Sequence, residues 1–302
     1  MNMTEQIDFR QTRDFSQVLT ETFNFVRQNI KILGTHLVIV MGFPAVLVGF
    51  LTEYWTPNAT DFQTSGFDFL DYYAALLPLY LIAMLLSIFY SCLIYAYTML
   101  YIERGFDQFE TRDVFNYASR YLLKATIASL LSFVFLMVAV VMFILPFFYI
   151  LVPLSFLYIV IFNEDKGIFE SISRCFEVVS GNWWNTFGLI ILLGVIVYML
   201  TIAVSVPQFL MSVFIEFNAA KNEDIEMYRL ISAFLGVFTN LAGYLIFLIF
   251  HFGIIFQYFS LVEQKEVPGL LRRIDSIAQS EEPDGESPPA AIDSNASPGD
   301  KE

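Results

Sequence analysis

Residues 125–162 read ATIASLLSFVFLMVAVVMFILPFFYILVPLSFLYIVIF, a run with no charged side chain. How this run divides decides the fold. As one helix it would be about 57 Å long at 1.5 Å per residue, nearly twice the roughly 30 Å of hydrocarbon in a bilayer. Pro146 falls near its middle, in ILPFF, and a proline inside a helix removes a hydrogen bond and favours a break. The run therefore reads as a tight hairpin of two crossings, about 125–145 and 147–162.

Working outward, four further apolar runs are long enough to cross, at about 32–51, 74–101, 187–215 and 230–262. The cations test the resulting count of six, because Lys and Arg in short loops are biased to the cytoplasmic side. With the N-terminus inside, all of the 16 Lys and Arg except Lys221 and Arg229 fall on one side. A single crossing at 125–162 would instead send Lys166, Arg174, Lys265, Arg272 and Arg273 outward. The sequence thus predicts an all-α, integral membrane bundle of six transmembrane helices, multi-pass in a bacterial inner membrane, with both termini cytoplasmic.

Composition agrees: 57% of the residues are hydrophobic and 33 are phenylalanine, against roughly 45–50% apolar in soluble domains. The opening MNMTEQIDFRQTRDF is polar and has no signal-peptide core, so the first apolar run is expected to be retained. Cys92 and Cys175 lack metal-ligand or redox spacing and read as small packing residues. Much of the net charge of -14 is local. Seven acids between Glu281 and Glu302 face only Lys301, in a stretch rich in Pro, Ser, Gly and Ala. Residues 263–302 are expected to form a cytoplasmic, acidic, disordered tail. No basic patch supports nucleic-acid binding.

Amphipathic stretches precede three of the spans. Within 1–31, Phe15, Val18, Leu19, Thr22, Phe23, Val26 and Ile30 share one helical stripe. Before the fifth span, Ile168, Ile172, Cys175, Phe176 and Val179 do the same, and a weaker version starts at Asp113. Each is expected to lie in the membrane interface, which makes the chain three copies of an interfacial helix plus a hairpin.

The stretch SGNWWNTFG, residues 180–188, joins the second of these helices to its span. Gly181 can adopt the left-handed conformation that ends a helix. Asn182 can bond free backbone groups at the turn. Trp183 and Trp184 fall at head-group depth, where an indole buries its ring and keeps its N–H in water. These four residues form the expected interfacial anchor.

The segment IFESISRCFEVVSGNWWNTFGLIILLG, with the preceding PLSFLYIVIFNEDKG, resembles the membrane-domain family attached to some glycerophosphodiester phosphodiesterases and the stand-alone bacterial membrane proteins grouped with it. Ser171, Cys175, Val179, Gly181, Trp183 and Trp184 occupy places comparable to the family's pattern. The resemblance covers about 40 residues of sharp similarity and otherwise six spans of similar spacing. It implies a polytopic membrane module and supplies no catalytic residue; the fused members' catalytic domain is lacking here.

Little in the sequence suggests chemistry. The only histidines, His36 and His251, lie in apolar runs, without the clustered His, Glu and Asp of a divalent-metal site or a Gly-rich phosphate loop. No catalytic residue, metal or cofactor is expected. An ion-coupled carrier would place an ionisable side chain within a span, and none lies near a span centre. Asn240, Tyr244 and His251 remain as the residues that could line a cavity for a neutral or apolar molecule. The expected function is non-catalytic, a membrane organiser acting on lipids or on another membrane or cytoplasmic protein; the alternative is a transporter or channel for such a small molecule.

Overall fold

The computed structural model describes residues 7–55, 69–106, 108–219 and 226–266, together with positions 221 and 271. Of the tail expected to be disordered over 263–302, residues 263–266 instead continue the last helix, whose apolar face is still packed there, position 271 is helical, and the rest lies outside the described residues. Eight helices are present among them: α1 (Phe15–Trp55), α2 (Phe69–Arg104), α3 (Thr111–Met142), α4 (Ile144–Leu154), α5 (Leu157–Glu164), α6 (Ile168–Val179), α7 (Trp183–Ala219) and α8 (Glu226–Glu266). Six segments are long and apolar enough to cross a membrane: 15–51, 76–104, 111–142, 145–164, 183–219 and 226–266. The protein is an all-helical, multi-pass membrane protein. Its outer surface is itself apolar, with Phe43, Val141, Leu145 and Phe209 exposed, an arrangement suited to hydrocarbon and costly in water.

The most buried of the six segments is in α8, which packs between α1 and α7. Both neighbours run antiparallel to it. Along α1 and the residues just ahead of it, Arg13 meets Ser260, Phe25 meets Phe252 and Gly49 meets Val237. Along α7, Thr186 meets Gln257 and Gln208 meets Gly236. Close approach is set at two glycines: a Cβ on Gly49 would come within 2.9 Å of Val237 Cγ2, and one on Gly253 within 2.3 Å of Leu193 Cδ1. A Cβ on Gly243 would meet nothing within 4 Å, so that residue, though small, makes no such contact.

The 125–162 run is a hairpin, but its break is at Phe143, three residues before Pro146. Phe143 is extended, at φ -179° and ψ 156°, and Pro146 sits in the first turn of α4, where its missing N–H has no helical partner to lose. The return crossing is interrupted again after Pro153, so α4 and α5 are separate pieces joined at Ser155 and Phe156.

Only one of the three expected flat helices is a separate element, α6. The first is continuous with its span, because its buried stripe does not stop: Val18, Thr22, Phe25, Asn29, Leu33, Leu37, Met41 and Ala45 run along α1 at helical spacing. That stripe faces the bundle, and Phe23, expected on it, is exposed. Asn29, wholly buried, donates to the Phe25 carbonyl at 2.9 Å and accepts from Tyr97 Oη at 2.9 Å. The segment from Asp113 is likewise the first part of α3. The chain ahead of α1 is also packed into the bundle. Phe9, 2% exposed, stacks on Phe256 with ring centroids 4.6 Å apart and meets Phe25 and Tyr101 edge-on.

Candidate functional site

The helix-α6 end of the bundle carries the polar chemistry. α5 ends at Asp165, whose φ of +48° is a left-handed conformation that Asp tolerates better than most residues. Lys124 of α3 holds this turn through an ion pair to Asp165 Oδ1 at 3.1 Å. α6 then crosses this end, burying Ser171, Cys175, Val178 and Val179. At its C-terminus Gly181 has φ +81°, as its place at the end of the stripe predicts. Asn182 donates its backbone N–H to the Val179 carbonyl at 2.9 Å and accepts from the Thr186 N–H at 3.0 Å. The Lys265 ammonium, from the end of α8, donates to the Ser180 carbonyl at 2.7 Å and to that of Glu177. A cation there complements the negative end of the helix dipole.

Trp183 and Trp184 diverge. Trp184 is 78% exposed, an outward-facing anchor. Trp183 stacks on Phe187 and Tyr149, and its indole N–H donates to the Tyr149 carbonyl at 3.3 Å. The Trp183 N–H is thus paired with a backbone carbonyl in an exposed setting. Pro153 explains the bond: four residues after Tyr149, it has no N–H to close the helical hydrogen bond to that carbonyl.

Glu164 and Arg174 form the centre of an ion-pair network, each side chain about 15% exposed. Glu164 accepts from Arg174 Nε at 2.9 and 3.1 Å, from Lys166 Nζ at 2.6 Å and from Tyr258 Oη at 2.7 Å. Arg174 also pairs with Glu177 at 3.4 Å and with Glu266. Burial works to lower the Arg174 pKa, but the bonds to Glu164 and Glu266 reverse this and hold it above the usual guanidinium range. The network ties α5, α6 and α8 together and borders a cavity of about 390 Å³ whose wall includes Arg10, Lys166, Phe259 and Glu263. Sequence reasoning missed this site. Its one visible signal was an acid, Glu164, directly after an uncharged run, with Arg174 ten residues on.

Of the other candidate residues, Asn240 donates to the Gly236 carbonyl of its own helix at 2.9 Å. The Tyr244 carbonyl accepts from Tyr90 Oη. His251 is buried among Tyr90, Tyr95, Phe247 and Phe250. Tyr244 and His251 are seven apart on one face of α8, and both contact Tyr90. Cys92 and Cys175 are buried free thiols.

Residues 116–261, just under half of the chain, match the model of a family described as a domain of unknown function (DUF7847). The match takes in α4 to α7 and most of α3 and α8, hence Glu164, Arg174 and the tryptophan pair. No curated protein and no solved structure matches the chain.

Proposed function

We propose that the protein is a non-catalytic membrane organiser of the bacterial inner membrane, with both termini cytoplasmic, acting through lipids gathered at the α6 end of the bundle. The observation that carries this reading is α6 itself. It is a short helix clamped across one end by ion pairs, with Phe169 exposed near its start and Trp184 exposed just beyond it, in the first turn of α7. Two large aromatic side chains beside a set of cations suit the boundary between acyl chains and head groups. The cation sorting supports the orientation, since Lys124, Lys166, Arg174 and Lys265 all bond residues at or beside the ends of α5 and α6. The resemblance to the phosphodiesterase membrane-domain family supports a membrane module without chemistry of its own. A carrier through the bundle centre is the less favoured reading, because His251 is enclosed by rings and the Asn240 amide is bonded within its own helix.

Native mass spectrometry of the protein ejected with its surrounding lipid tests the reading. Retained lipid that is lost on Phe169→Ser and Trp184→Ser substitution is the expected result. A protein that sheds all lipid as readily as its doubly substituted form would overturn it.

A further inference from the structure

The outward face of α3 changes chemistry partway along the helix. Arg112, Asn116, Ser119 and Arg120 are exposed on its first three turns. Further along, Leu123, Ile127, Leu130 and Val134 are exposed. At 3.6 residues per turn all eight fall within a sector of about 100°, so they form one continuous face, cationic at its start and apolar beyond. The change falls between Arg120 and Leu123. Lys124 marks the same depth on a neighbouring element, since it pairs at 3.1 Å with Asp165, where α5 has ended.

The two arginines of this face are not engaged elsewhere. Neither Arg112 nor Arg120 forms an ion pair or hydrogen bond among the described residues. Lys124 and Arg104 are left out of the surface, because Asp165 and Asp113 already hold them. Asp113 also accepts from the Glu110 N–H at 3.1 Å. Arg112 and Arg120 stand about 12 Å apart along the axis, with the Asn116 amide between them as a further donor.

Some lipid covers Leu123 to Val134 in any bilayer, and its head group then lies against the arginines. Their charge favours an anionic head, because each cation near such a surface contributes about 1 kcal/mol and guanidinium forks bind phosphate well. The chain's own acidic tail offers the charge but not the apolar part, since Ile292 is the only large apolar residue between Glu281 and Glu302. Resting on the lipid reading above, which it deepens, we infer that the outward face of α3 binds an anionic phospholipid. Arg112 and Arg120 receive its phosphate, and its chains lie along Leu123, Ile127, Leu130 and Val134.

The test uses the full-length protein in nanodiscs of mixed phosphatidylglycerol and phosphatidylcholine, followed by native mass spectrometry. Wild type should retain phosphatidylglycerol over phosphatidylcholine. Arg112→Gln with Arg120→Gln should reduce that preference about ten-fold, the equivalent of about 1.4 kcal/mol. Arg112→Lys with Arg120→Lys keeps the charge and should keep most of the preference. Arg27→Gln with Lys31→Gln removes two exposed cations from α1 and should change it little. An unchanged preference in the α3 glutamine pair, a loss in the lysine pair, or an equal loss in the α1 pair overturns the assignment. Wild type that retains both lipids without preference overturns it and leaves the organiser reading standing, whereas wild type that sheds all lipid overturns both. A photoreactive side chain at Ser119 tests the occupant with both arginines in place. Crosslinks to phosphatidylglycerol are expected; crosslinks confined to residues 281–302 or to a second copy of the chain overturn the lipid as occupant.

Discussion

The Trp183 indole N–H donates to the Tyr149 carbonyl at 3.3 Å, the acceptor that Pro153 leaves without its helical donor. One residue of the SGNWWNTFG turn therefore completes the hydrogen bonding of a helix in the preceding hairpin. Trp183→Phe keeps the stacking and removes the donor, and is expected to cost about 1 kcal/mol. Pro153→Ala restores a backbone N–H facing the same carbonyl, so Trp183→Phe should cost less in that background. Unfolding in mixed micelles of all four combinations measures the coupling. Additive losses would show that the two residues are independent.

Two glycines of similar sequence context should respond oppositely. A Cβ on Gly49 meets Val237 Cγ2 at 2.9 Å and the Val237 backbone nitrogen at 3.2 Å, so Gly49→Ala must push α1 from α8. The expected loss is about 1–3 kcal/mol, the usual cost of overpacking. Gly243 has open space around its Cβ position. Gly243→Ala should be neutral or slightly stabilising, since alanine favours the helix by up to about 1 kcal/mol. Thermal unfolding of the two variants in one detergent would decide it, and equal losses would rule out the close contact as the cause.

The sequence made the span count legible because charge and hydropathy are one-dimensional properties. The runs at 125–162 and 187–215, and the cations between them, can be read without knowing any partner. What could not be read depended on contacts distant in the chain. The stripe from Phe15 to Ile30 has the same periodicity whether it faces lipid head groups or α8, and only packing against Phe252 and Phe256 decides. Gly253 as a close-approach site depends on Leu193, sixty residues earlier. Gly181 was legible, because its left-handed conformation is dictated locally. The Glu164–Arg174 pair was not, since it forms only when α5 and α6 are brought together.

Cys175 gives a pH-dependent prediction. Burial pushes its thiol well above the ordinary range, with the nearby Glu164 charge acting the same way. The folded state therefore favours the protonated thiol. The associated stability is fully present below the ordinary thiol pKa of about 8.5 and is lost as pH rises above it. Native protein should react far more slowly with N-ethylmaleimide at pH 8 than after unfolding, and Cys175→Ser should flatten the alkaline decline in stability. Fast labelling of Cys175 in the folded protein would contradict its burial.

The segment ahead of α1 supplies the last test. Phe9 is enclosed by Phe25, Tyr101, Phe256 and Phe259, and the Ile7 N–H donates to Tyr101 Oη at 3.1 Å. Four residues on, the Arg13 backbone exchanges two 2.9 Å hydrogen bonds with Ser260 Oγ, and its guanidinium lies 5.1 Å from the centre of the Phe256 ring. A segment that reads as polar in sequence is thus fixed at both ends of a short stretch. Phe9→Ala opens a cavity between α1, α2 and α8 and should cost about 3 kcal/mol, the lower part of the range for a buried aromatic. Phe9→Leu refills most of the volume and should lose much less. Limited proteolysis of the N-terminal segment, followed beside thermal unfolding, separates local release from global loss. Rapid cleavage near Arg10 and Arg13 in Phe9→Ala, with wild-type and Phe9→Leu protein resistant, is expected. Equal resistance in all three would mean that the ring does not hold the segment in place.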